Sequence, residues 1–355
     1  MINIIGQIFG SSGYDVHTRN LGRALAMKTD ARYTVRAGQG WERLVDDKEL
    51  SMIKAPAVKD EITLIITNPL NWRVNTNSGR NWVYLVWEGD CIPKHFINEC
   101  MNPEIEYILV PSKHTLKALM DTEKTQEQYE TIKAKVRVVP HGVDTSIFYP
   151  KDKPEKRIFF MNKGFRNMQD RGGVQYGLRA YFEEFTDKDD VEMLLKINPA
   201  YGIDKVQALI DQIAPRKQGL PLLNLNMDNM PYDKLVDLYN KCNVFVSPTR
   251  AEAYNLPCIE AMACGLPVIT TDFGGQTDFC NKDNGWIVGG KLVEVKHELM
   301  YEGTKWLTPN VADLRKAMRE AYENRELVTE KSKKALNTAR SNGWDRSAQL
   351  IVDLI

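Results

Sequence analysis

The strongest constraint on this chain is one pattern that runs through both of its halves. Short runs that are mainly apolar, without two-faced alternation, alternate with stretches of helical spacing. The runs are Ile2–Phe9, Thr63–Thr67, Trp82–Val86, Tyr107–Val110 and Val136–Val139, then Arg157–Met161, Glu192–Ile197, Leu222–Asn226, Val244–Ser247 and Pro267–Thr271. Between the first two, His17 to Met27 places Leu21, Ala24 and Leu25 on one helical face. A strand that is apolar on both sides belongs to a sheet covered on both faces, and alternation with helices makes that sheet parallel. The 355 residues, at about 150 per domain, allow two such sheets. The break falls in PHGVDTSIFYPKDKPEK, where prolines and charges separate VRVV from RIFFM. The expected fold class is therefore α/β with two Rossmann-like domains, residues 1–150 and 151–340. Residues 310–339 read as solvated amphipathic helix with Leu314, Met318 and Ala321 on the buried face.

Charge and cysteine content narrow the function. Forty-seven Lys plus Arg balance 47 Asp plus Glu, which argues against a phosphate backbone as partner and against firm docking on an anionic membrane. The six cysteines form no Cys-x-x-Cys pair and the five histidines no His-Glu-x-x-His set, so no metal site is expected. No stretch reaches the roughly 18 apolar residues of a membrane span. The expectation is a cytoplasmic protein with reduced thiols, without nucleic-acid partner or stable membrane insertion.

Two segments carry chemistry. In FGSSGYD, Gly10 and Gly13 let the backbone turn sharply after the first strand, and the next helix offers free N–H groups to an anion. The spacing is not that of a dinucleotide fingerprint, and a plain tight turn explains it equally well. In SPTRAEAYNLPCIEAMACGLPVITTDFGG, residues 247–275, Glu252 stands in a polar loop. Glu260 lies about one turn inside a helix that Pro257 is suited to begin. Strand, loop, helix and strand follow one another, so both carboxylates reach the carboxyl edge of a parallel sheet, where ligands bind. There they can accept from polyol hydroxyls, while the N–H groups of Asn255 and Leu256 approach sugar or phosphate oxygens.

The string EAYNLPCIEAMACGLPVITTDFGG resembles the signature of the family 4 retaining glycosyltransferases, also called group 1, with its Glu, seven residues, Glu pattern. VVPHGVDTSIFYP resembles the family's interdomain hinge, with His141 where Asn is usual. VPSKHTLKAL, LYNKCNVFVSPTR and NGWDRSAQLIVDLI, with Trp344, resemble three further family segments. The resemblance implies a GT-B fold, two Rossmann-like domains facing across a cleft. It also implies a last helix, about 341–355, returning to the N-terminal acceptor domain, with residues 151–340 as donor domain. It implies a nucleoside-diphosphate sugar as co-substrate and no other cofactor. By position, Glu260 would hold the donor ribose, Glu252 the transferred sugar, and Tyr254, Asn255 and Leu256 would line the donor. In FRNMQDRGG, Arg166 and Arg171 fall where the family has an Arg and a Lys for the diphosphate, with Lys163 as a substitute. Where many relatives have a His near the sugar, this chain reads YLVWEGDCIPKHF. Glu88 or Asp90 would take that place, unless they cap the helix that follows.

The reaction so implied needs charge for a leaving diphosphate. With no Asp-x-Asp in the signature segment 247–275 to hold a divalent ion, arginines supply it, and the expected enzyme is a metal-independent, retaining hexosyltransferase acting on an unidentified glycan, lipid-linked or protein hydroxyl. A nucleoside-diphosphate-sugar epimerase of the same fold, or a silent sugar-nucleotide-binding protein, stays open at this point.

Overall fold

Two parallel sheets organise the chain, their central strands buried in the way their apolar sequences demand. The structure, a computed structural model, describes residues 1–10, 12–35, 51–52, 61–77, 79–197, 206–214, 218–228, 230–296 and 298–355. It divides into two units. The first comprises Met1–Asp144, Glu294–Lys305 and Asn342–Ile355, and the second Thr145–Val293 and Trp306–Ser341.

In the first unit, β1 (Ile2–Gly6), α1 (Gly13–Ala26), β2 (Ala31–Val35), β3 (Ile62–Ile66), β4 (Arg80–Tyr84), α2 (Lys94–Cys100), β5 (Ile105–Val110), α3 (Lys113–Asp121), α4 (Gln126–Lys135) and β6 (Val136–Val138) build a sheet of order β2-β1-β3-β4-β5-β6. β1 and β3 are buried along their whole length. β1 stops at Gly6, three residues earlier than its apolar run, because Gln7 to Gly10 already form the turn into α1.

In the second unit the order is β7 (Arg157–Asn162), α5 (Val174–Glu184), β8 (Val191–Lys196), α6 (Val206–Ile213), β9 (Leu222–Asn226), α7 (Leu235–Asn240), β10 (Val244–Ser247), α8 (Leu256–Ala263), β11 (Val268–Thr271) and β12 (Gly285–Val288). The strands line up as β12-β11-β10-β7-β8-β9, with each neighbouring pair parallel. Read from the other edge, this is the doubly wound order, with its reversal between β7 and β10. Phe159, Met161, Met193, Leu195, Val244, Val246 and Ile269 form the core beneath α5. β9 departs from its expected buried character. It is the edge strand, and Leu222 is 48% exposed.

The chain leaves this unit along β13 (Gly290–Glu294), gives Glu294–Lys305 to the first unit, and returns along β14 (Lys305–Pro309). The amphipathic stretch 310–339 is two helices, α9 (Val311–Glu323) and α10 (Arg325–Arg340). Asn324, at φ −106° and ψ 87°, ends the first and caps the second, its Oδ1 accepting from Leu327 N at 2.9 Å. Last comes α11 (Trp344–Val352), which packs on α1. Asp345 pairs with Lys28 at 2.8 Å, and the Ser347 hydroxyl donates to Pro140 O at 2.5 Å. The expected boundary at 150 lies six residues past the observed one. The expected second domain also included Glu294–Lys305, which here belongs with the first unit.

Candidate functional site

The reversal of strand order in the second unit places the ends of β7 and β10 side by side, and the signature residues gather there. Lys163 directly follows β7, and Glu252 lies in the loop that follows β10. Lys163 Nζ donates to Glu252 Oε1 at 2.9 Å and to Asn255 Oδ1 at 2.7 Å. Arg171 Nη1 donates to Glu252 Oε2 at 3.2 Å and to Ala251 O at 2.8 Å. The Lys163 side chain is 5% exposed, that of Glu252 18% and that of Arg171 31%. Burial pushes the Glu252 carboxyl up, but the charges and hydrogen bonds of Lys163 and Arg171 outweigh it and hold the group below the usual carboxylate range. Two cations thus face this one carboxylate.

Backbone geometry sharpens the arrangement. Asn255 sits at φ +77°, a left-handed conformation that Asn tolerates, and from the N-cap of α8 it donates to Ser247 Oγ at 2.9 Å. Its side chain is thereby occupied with Lys163 and Ser247 and makes no cap, so the first N–H groups of α8, Leu256 among them, keep the anion-binding character of a helix start. The trailing GG has a steric reason. Gly274 has φ +117°, and a Cβ on Gly275 would lie 1.9 Å from Ala253 O, so only glycine lets this turn close against the Glu252 loop.

Glu260, the fifth residue of α8, is 3% exposed. Tyr232 OH donates to its Oε1 and Tyr239 OH to its Oε2, each at 2.8 Å. Burial raises its pKa, and the two phenols and the Lys163 charge only partly offset that. Tyr254 is 2% exposed with its ring against Phe279, centroids 5.0 Å apart, and is a packed residue. Arg166 does not join the cluster. Its side chain is 62% exposed, 4.0 Å from Asp170.

In the first unit the FGSSGYD turn is tied by its own side chains. Asp15 Oδ1 accepts from Gly10 N at 2.8 Å, and the Ser12 hydroxyl donates to Asp15 Oδ2. Buried Arg19 donates to Ile8 O at 2.6 Å and Gly10 O at 2.5 Å. Gly13 is the first residue of α1, with open space where a Cβ would stand, and Ser11 lies outside the described residues. Glu88 Oε2 accepts from Tyr301 OH at 2.9 Å, and Asp90 Oδ1 from Lys305 N at 2.7 Å. Neither caps α2, whose N-cap is Pro93 without a side-chain bond. Both carboxylates instead hold the Glu294–Lys305 segment, with Trp87 stacked on Tyr301 at 4.9 Å. Among the described residues no group of acidic, His or Cys side chains could hold a metal ion, and no helix is long and apolar enough to cross a membrane.

Sequence reasoning missed Tyr232, Tyr239 and Arg250. Arg250 is buried and donates to Gln169 O at 2.9 Å and Leu307 O at 3.3 Å, tying the signature loop to β14. A charged residue inside the apolar run VFVSPTR was its available signal.

Comparison with known proteins bears on the fold and on the segment that holds the signature. Residues 227–339 match the family described as glycosyl transferases group 1. A protein assigned as glycosyltransferase 45 in Sulfolobus islandicus filamentous virus is 22% identical over 308 residues, 82% of this chain and 80% of that one. Two further curated relatives are matched over only 48% and 37% of their own lengths. Among solved structures, the sucrose-phosphate synthase of Thermosynechococcus elongatus superposes with a TM-score of 0.71 at 15% identity, over 99% of this chain and 97% of that one. The Anabaena protein HepE in complex with UDP-glucose gives 0.68 at 12% identity, over 99% and 98%. Residues 227–339, with both signature glutamates inside them, therefore resemble the group 1 glycosyl transferases, and the chain that carries them has the GT-B fold of two Rossmann-like sheets.

Proposed function

We propose that this chain transfers a sugar from a nucleoside-diphosphate donor, bound at the β7 and β10 strand ends, to a hydroxyl acceptor, with retained configuration and without a metal. The observation that carries the reading is the Lys163–Glu252–Arg171 cluster, two cations on one carboxylate, beside the start of α8. As the bond from the anomeric carbon to the diphosphate breaks, negative charge grows on the leaving oxygens. Fixed cations therefore bind the transition state more tightly than the ground state. Glu252, kept ionised, accepts from hydroxyls of the transferred sugar, and Glu260 from those of the ribose. A carboxylate held low by two cations is a weak nucleophile, which favours departure and attack on one face over double displacement through Glu252. The UDP-glucose bound by the Anabaena neighbour makes that donor the first to test.

The test incubates the protein with UDP-, GDP- and ADP-glucose, follows release of the nucleoside diphosphate with and without EDTA, and assigns the product anomer by NMR. Release that EDTA leaves unchanged, with an α product, is expected. Activity lost to EDTA and restored by magnesium overturns the metal-free chemistry, and a β product overturns retention. Interconversion of free donors without release means an epimerase, and neither release nor interconversion means a binding protein.

A further inference from the structure

The two phenols on Glu260 are not equivalent. Tyr239, on α7, is fully buried, its ring wedged among Phe148, Phe160 and Phe245 at centroid distances of 5.7, 5.1 and 5.7 Å. Burial, reinforced by the Glu260 charge, holds its hydroxyl far above the ordinary tyrosine pKa, so it stays a donor. Tyr232 is half-buried on a single 3₁₀ turn, Tyr232–Lys234, that follows Pro231 and has no side-chain cap. Its ring meets Phe148 edge-on at 5.1 Å. Glu260 Oε2 is thus fixed from the core, while Oε1 is held by a group at the surface.

We infer that Tyr232 is a displaceable stand-in for the donor ribose: it satisfies Glu260 Oε1 in the free protein and yields that oxygen to a ribose hydroxyl when a nucleotide binds. This rests on the donor reading above. A carboxylate with 3% exposure is costly to leave with an unmet acceptor, so the site needs a donor at Oε1 whether or not nucleotide is present. Exchanging a phenol O–H for an alcohol O–H at the same oxygen keeps it satisfied throughout. The consequence is a site preformed at the expense of affinity, because nucleotide binds tightly only to the fraction of molecules in which Tyr232 has swung away. Tyr239 acts in the opposite sense, as a positioning residue that aims the carboxylate.

The two roles predict opposite signs. Titrate UDP, GDP and ADP calorimetrically into the wild type, Tyr232→Phe and Tyr239→Phe, and repeat each with the 2′,3′-dideoxy nucleotide. Tyr232→Phe, which keeps the ring on Phe148, should tighten binding of whichever ribonucleotide binds by about three- to tenfold. It should change dideoxynucleotide binding by less than twofold. Tyr239→Phe should weaken ribonucleotide binding by about tenfold. Thermal melts of both variants separate these effects from unfolding. A Tyr232→Phe protein that binds no more tightly than wild type, or gains equally for the dideoxy compound, overturns the inference alone. If neither wild type nor Tyr232→Phe binds any of the three ribonucleotides, the donor reading falls and this inference with it.

Discussion

Replacing Lys163 with Met tests the central cluster through stability, with no substrate required. The methionine fills similar volume but removes two donors, at 2.9 Å to Glu252 and 2.7 Å to Asn255, from a side chain that is 5% exposed. Breaking one partner of a buried pair costs about 3–5 kcal/mol when the remaining charge is left alone. Here Arg171 still reaches Glu252 Oε2, and the Glu252 side chain retains 18% exposure, so the lower end, about 3 kcal/mol, is expected. At roughly 2–4 °C per kcal/mol for a unit of this size, the melting temperature should fall by about 6–12 °C. The loss should depend on pH. Glu252 has a folded pKa below its unfolded value, so its pairing contributes fully above the unfolded pKa, near 4.3, and fades as pH falls towards the folded one. Wild type and variant should therefore converge in the acid range. Denaturant titrations at pH 7 and pH 4 measure both, and Glu252→Gln together with Lys163→Met should recover part of the loss. A variant as stable as wild type at pH 7, or an equal loss at both pH values, would refute the account of the cluster.

Three more expectations follow from the same contacts. Glu260→Gln should weaken binding of the nucleoside diphosphate itself, whereas Glu252→Gln should mainly lower turnover of the intact donor, each by about 1.5–3 kcal/mol; calorimetry with UDP and initial rates with UDP-glucose separate them. Arg171→Ala should cut kcat/KM by tenfold or more, and Arg166→Ala, whose side chain is 62% exposed and 4.0 Å from Asp170, should do less; equal effects would place Arg166 at the diphosphate. In the first unit, the rings of His17 and His141 lie 4.1 Å apart beside Trp344, and burial drives His141 down to about 3 and His17 well below its usual value. Their unfolded forms bind protons that the folded forms refuse. Stability is then full above pH 6.5 and drops by about 1.4 kcal/mol per pH unit for each histidine below it. His141→Asn should halve that slope in urea titrations between pH 6 and 4.5, and an unchanged slope would remove the histidines as its cause.

The layered fold was legible because strands buried on both faces are mainly apolar with no strict alternation, as β1, β3, β7 and β10 are. The edge strand β9 was read as a strand but not as exposed, since Leu222 and Leu225 are apolar whichever side of the sheet they face. Glu252 and Lys163 were legible as chemistry, but the bond between Lys163 and Asn255, 92 positions apart, depends on the adjacency of β7 and β10, which spacing does not encode. Tyr232 and Tyr239 were invisible for the same reason. The side-chain lock on FGSSGYD had a signal, Ser12 three residues before Asp15, the spacing of a helix cap. The excursion 294–305 had none. Its sequence, EVKHELMYEGTK, matches its surroundings in polarity, and the groups that hold it, Glu88 and Asp90, lie some 200 residues earlier.

The packing of α11 against α1 has a consequence in time. Ribosomes add about 5–20 residues per second, and α1 is complete more than 300 residues before Trp344 is added. For about 15–60 seconds the nascent chain holds His17 and its neighbours on α1 without the tryptophan that covers them, and α10, the last helix of the second unit, is complete only four residues before that tryptophan. The first unit, although begun earlier, is therefore completed no sooner than the second. Until α11 is made, the face of α1 that it covers stays open.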